Sequence, residues 1–119
     1  MPQFSALLPV FAQDEALHRV LESIDHGESG CVVAPAGARI PLIASMAQRR
    51  DKTIYVVVPT GREAEETASA LRAWVEDVEV FPSWETLPHE RLSPQVDTMA
   101  QRIAVLRRLI HPQSGDEHA

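Results

Sequence analysis

The chain has 119 residues, 45% of them apolar and 24% charged, enough for one domain with a single core and ordinary for a globular protein. Its net charge of −6 argues against a free-standing nucleic-acid binder held by phosphate contacts. The single cysteine, Cys31, excludes an intramolecular disulfide and a multi-cysteine zinc site, and in its apolar surroundings it reads as a small core residue.

Residues 1–12 are mildly apolar, interrupted by Pro2 and Pro9, and carry no basic residue. That pattern fits neither a secretory signal nor a transit peptide. No apolar run approaches the length of a membrane span, so a cytoplasmic location is expected. Residues 1–13 read as an N-terminal arm, 14–112 as one α/β domain and 113–119 as a flexible tail. Ala16, Leu17, Val20, Leu21 and Ile24 recur at helical spacing and predict a helix over 14–25, with Asp14 as its N-cap. A turn over 26–30 follows.

Cys31, Val32, Val33 and Ala34 read as a buried strand, followed by a small-residue turn and a helix carrying Ile40, Ile43, Met46 and Ala47 on one face. Strand, small-residue turn and helix is the context in which a P-loop cradles nucleotide phosphates. Laid on G-x-x-x-x-G-K-[ST], Ala34 opens the loop, Arg39 takes the second glycine, Ile40 the lysine and Pro41 the hydroxyl; Gly37 is the glycine that is left. Isoleucine cannot pair with a phosphate, and proline offers neither a hydroxyl to Mg²⁺ nor an N–H to an oxygen. Ala34, Gly37, Arg39, Ile40 and Pro41 therefore read as a vestigial phosphate loop. No cofactor, no metal and no catalytic residue is expected.

Residues 53–58 form a β-branched and aromatic run ending at Pro59, as in a strand buried on both faces. Thr60 with Glu63 reads as a capping box. Ala64, Ala68, Leu71 and Val75 make the buried face of the helix that follows, with Glu63, Glu65, Glu66 and Arg72 on its wet side. Residues 78–81 read as a third strand. Strands alternating with helices predict an α/β fold with a short parallel sheet built from right-handed crossovers. The fold class is thus part of a P-loop-NTPase-like, three-layer arrangement, a short parallel sheet flanked by helices, with a degenerate phosphate loop. Three strands leave edges exposed, which suggests a fragment of something larger or an element that pairs with another chain.

A last helix is expected over 97–110, with Met99, Ile103, Leu106 and Ile110 as its apolar stripe, Arg107, Arg108 and His111 at its C-terminal turn and Pro112 as its stop. Between strand and helix, residues 82–97 mix Trp84 with charged groups and three prolines. In an open α/β sheet, loops at that edge bind ligands. The segment supports two readings. In one, Trp84 anchors a partner surface and Glu85 or Arg91 supplies polar contacts. In the other, simpler one, Trp84 plugs the sheet end while Glu85 and Arg91 pair locally. His89 beside Glu90 lacks a supporting nucleophile or second histidine, and the five histidines show no metal-ligand spacing.

The run Phe81-Pro82-Ser83-Trp84-Glu85-Thr86-Leu87-Pro88, then Ser93-Pro94, Asp97 and Arg102, strongly resembles the N-terminal module of the bacterial transcription-repair coupling factors. Their signature is W-E-T-L-P, a short variable stretch, S-P, an aspartate and an arginine in the next helix. The resemblance covers roughly residues 30–110. It implies a large parent, an ATP-dependent DNA translocase that displaces stalled RNA polymerase and recruits nucleotide excision repair. The corresponding module is similar to the start of the excision nuclease B subunit but has a degenerate phosphate loop. The subunit's DNA-gripping hairpin has no room here between Arg91 and Asp97. On this basis the chain is expected to be a non-catalytic interaction or regulatory module, with Trp84, Glu85, Leu87, Arg91, Asp97 and Arg102 as candidate partner or interdomain contacts. The expected partners are the other domains of the parent, with the excision nuclease A subunit and RNA polymerase met through the parent and no direct contact to nucleic acid. The alternative is a helicase-like domain that still binds ATP, with Arg39 standing in for lysine.

Overall fold

The computed structural model of the chain describes residues 2–49, 53–84 and 95–111. A 3-10 turn, Ser5–Leu7, runs into a one-turn helix α1, Leu8–Phe11, and then α2, Glu15–Asp25. A second 3-10 turn, Ala36–Ala38, leads into α3, Arg39–Gln48. Two longer helices follow, α4 over Gly61–Arg72 and α5 over Val96–Ile110.

The helix ends follow from local chemistry. Asp14 sits in an extended conformation and its Oδ1 accepts the Leu17 N–H at 2.9 Å, satisfying one of the donors orphaned at the start of α2. At the other end Gly27 adopts φ +75°. Its N–H donates to Ile24 O at 2.9 Å, and the Glu28 N–H donates to Ser23 O at 3.1 Å, the two bonds of a Schellman stop. Thr60 caps α4 by accepting the Glu63 N–H at 3.1 Å, and Arg62 pairs with Glu66 one turn on at 2.9 Å. Pro41 lies in the first turn of α3, where a missing N–H leaves no broken bond.

The core forms where α1, α3 and α4 meet. Leu8, Ala44 and Leu71 are buried together, with Ala44 fully closed to solvent, and Ile40, Ile43, Trp74, Val75 and Val78 pack against them. Enclosing a side chain the size of Leu8 contributes about 1.5–3 kcal/mol. Trp74, just past α4, is flanked by Phe4 at 5.4 Å and Phe11 at 5.6 Å between ring centroids, the second edge-on. The Phe4 N–H donates to Ala73 O at 2.6 Å, which ties the start of the described chain to the end of α4.

Among the described residues every regular element is helical and none is a strand. This overturns the expected α/β fold, with its three layers and short parallel sheet. A β-branched run records a side-chain fit to a pleated, half-buried surface. A strand exists only where N–H and C=O groups are laddered to a neighbour. Residues 31–34 and 53–58 have the composition without the ladder, and Val33 is 96% and Val57 79% exposed. Residues 78–81 differ, because Val80 is buried. There the carbonyls are taken by side chains: Arg72 Nη2 donates to Val78 O and Gln101 Nε2 to Val80 O, each at 3.3 Å, and Arg102 Nη1 donates to Pro82 O.

Candidate interaction site

Helix α5 presents two dissimilar faces. Thr98, Gln101, Arg102, Val105 and Arg108 recur at helical spacing, and this face carries the contacts to residues 77–84. Arg108 forks across two carboxylates, Nη2 donating to Asp77 Oδ1 and Nη1 to Glu79 Oε1. Asp77 holds φ +56°, a left-handed conformation that aspartate tolerates better than most residues. Nearer the N-terminus of α5, the Arg102 guanidinium carbon lies 4.0 Å from the Phe81 ring centroid and 4.3 Å from that of Trp84. The same guanidinium donates to Pro82 O. Cation–π contacts of this kind contribute about 0.5–1 kcal/mol when exposed and more when dry. The Asp77 and Glu79 pairs are open to water and contribute little each.

The other face of α5 is apolar and open. Val96, Met99, Ile103, Leu106 and Ile110, spaced three and four apart, are all exposed, Ile103 by 62%. The periodicity located Met99, Ile103, Leu106 and Ile110 of this stripe, without Val96, but the helix turns its polar side to the rest of the chain. The reason is donor chemistry: Gln101, Arg102 and Arg108 find carbonyl and carboxylate acceptors on residues 77–82, which an apolar face cannot satisfy. A continuous apolar stripe facing solvent is a contact surface without its cover among the described residues.

Of the contact residues expected from sequence, Trp84 and Arg102 are brought together, with Trp84 half exposed. Asp97 stands exposed in the first turn of α5. Glu85, Leu87 and Arg91, with His89, lie outside the described residues. Phe81 and Gln101 belong to the same assembly. Phe81 opens the signature run without being among the expected contact residues, and nothing in the sequence marks Gln101.

The phosphate-loop positions have a different fate. Ala34, Gly37 and Arg39 are exposed around the 3-10 turn, whereas Ile40 packs on the core and Pro41 is buried at the start of α3. Gly37 has open space where a Cβ would stand and no positive φ, so its backbone makes no demand for glycine. The two positions that would have to meet a phosphate and a metal ion are thus spent on packing.

These features define a helical assembly with one open apolar face, and among the described residues no group of three or more His, Cys, Asp or Glu is placed to hold a metal. No described helix is long and apolar enough to cross a membrane. No family model matches the chain. It is 51% identical over 85 residues to the transcription-repair-coupling factors of Mycobacterium bovis and Mycobacterium tuberculosis, a stretch that covers 71% of this chain and 7% of each relative. It is 30% identical over 92 residues to the transcription-repair-coupling factor of Haemophilus influenzae, covering 76% of this chain and 8% of the relative. The chain is homologous to the transcription-repair-coupling factors and is consistent with a fragment of one. It spans less than a tenth of the length of these curated relatives.

Proposed function

We propose that this chain is a non-catalytic interaction module of a transcription-repair-coupling factor, acting in the cytoplasm as part of an ATP-dependent DNA translocase that displaces stalled RNA polymerase and recruits excision repair. The observation that carries the reading is the open apolar stripe of α5, held outward by the contacts of Gln101, Arg102 and Arg108 on its reverse. The stripe is the surface through which the module meets other domains of the parent. Recruitment of the excision nuclease A subunit then runs mainly through neighbouring parts of the parent.

The absence of catalysis is supported by α3. Ile40 and Pro41 stand where a phosphate loop needs lysine and hydroxyl, and both are engaged in packing. Calorimetric titration of the chain with ATP and Mg²⁺ tests this half of the reading. No heat at millimolar nucleotide is expected; saturable binding at Arg39 and the adjoining turn would restore the nucleotide-binding alternative.

A further inference from the structure

Residues 2–12 are seated on the fold in the manner of a bound peptide. Phe4, Leu8 and Phe11 are spaced four and three apart, the anchor pattern with which a short amphipathic helix enters an apolar groove. The groove lies along α3 and α4: Leu8 is buried with Ala44 and Leu71, and the rings of Phe4 and Phe11 flank Trp74. Leu7 and Val10, between the anchors, are exposed. The backbone of the segment is satisfied locally. The N–H groups of Ser5 and Leu7 donate to Pro2 O and Phe4 O, that of Ala12 to Leu8 O, and those of Gln13 and Asp14 to Val10 O and Phe11 O. Among the described residues, the backbone bond that joins the segment to the helices beneath it is Phe4 N–H to Ala73 O. Beyond Gln13, α2 starts on a cap of its own, Asp14.

We propose that residues 2–12 are a displaceable strap, a self-ligand that closes a helix-recognition groove on α3 and α4 and lifts off as a unit while those helices stay folded. A segment whose backbone bonds close within it gives up little hydrogen bonding when it leaves, and such segments open locally at a lower cost than the whole domain. Release uncovers Ala44, Leu71 and Trp74, the apolar floor under the three anchors. The pivot is Gln13, between the end of α1 and the Asp14 cap, so α2 need not move. Tethering holds the strap at its groove at an effective concentration of about millimolar. A free segment of the same sequence therefore enters only when the tethered one is disabled. The device is separate from the apolar face of α5, which carries no such cover among the described residues.

Native-state amide exchange of the full, unaltered chain tests the release. The Phe4 and Ala12 amides should share one protection factor, at least tenfold below those of Ala44 on α3 and Leu71 on α4. Protection of Phe4 equal to that of Leu71 would mean that the segment leaves only when the domain unfolds, and overturns the proposal. The groove is tested with a synthetic peptide of residues 2–13, titrated by calorimetry into the full chain carrying Leu8→Lys, which disables the tethered strap. Saturable binding below a few millimolar is expected, at least tenfold weaker for a peptide carrying Leu8→Ala. No binding, or equal binding by the two peptides, overturns the proposal. Should the Leu8→Lys chain lose its helical far-ultraviolet signal, the exchange measurement on the unaltered chain decides by itself.

Discussion

The Arg102 guanidinium lies 4.3 Å from the centroid of the Trp84 ring while donating to the carbonyl of Pro82 between Trp84 and Phe81. One side chain on α5 thus fixes both the rings and the backbone of the segment beside it. The two residues belong to one sequence signature, and their contact gives that signature a structural purpose: it sets which side of α5 faces the chain.

Truncating Trp84 to alanine should therefore cost about 1–2 kcal/mol in a urea unfolding series, the scale of a half-exposed ring and one cation–π contact. A fully buried tryptophan costs about 3–5 kcal/mol. A loss in that upper range would place Trp84 in a core and contradict its exposure here.

Arg102→Lys should recover only part of what Arg102→Ala loses. Lysine keeps the charge but not the planar fork that meets both rings and Pro82 O. Equal stability of the lysine variant and the unaltered chain in thermal melts would show that charge alone holds the contact.

At Trp74 the expectation is larger. Its ring packs on the core and touches Phe4 and Phe11. Trp74→Ala should destabilise by about 3 kcal/mol. The loss should be accompanied by faster amide exchange at Phe4, whose N–H is held by Ala73 O. Unchanged exchange at Phe4 would separate the aromatic cluster from the tie it is credited with.

Gly27→Ala isolates a backbone effect. Nothing lies within 4 Å of the added Cβ, so the φ of +75° is the sole obstacle. The cost should be about 1 kcal/mol, comparable to that of Asp14→Ala at the opposite end of α2. A neutral Gly27→Ala would mean that α2 ends differently.

Much of the helical framework was legible in the sequence. Asp14 and Thr60 marked the starts of their helices because a short polar side chain before an apolar-periodic run has one local use, capping. Ala68 and Leu71 were readable as a buried face for the same local reason. The strands were misread because composition is local and pairing is not: Val33 and Val57 are good strand residues in a chain that gives them no ladder among the described residues. The α5 stripe shows the same limit at the site. Spacing of Met99, Ile103 and Leu106 identifies an apolar face but not whether it is covered. That depends on carbonyl acceptors at Val80 and Pro82, about twenty residues away along the chain.

The open face of α5 is tested most directly by binding. The probe is the Mycobacterium tuberculosis transcription-repair-coupling factor truncated of its matching stretch, titrated with this chain and with its Ile103→Lys variant. Ile103 is 62% exposed, so the variant should unfold within about 0.5 kcal/mol of the unaltered chain. The expected result is saturable binding by the unaltered chain and at least tenfold weaker binding by Ile103→Lys, about 1.4 kcal/mol of lost contact. Equal binding by the two, or none by either, would contradict the assignment of this face as the module's contact surface.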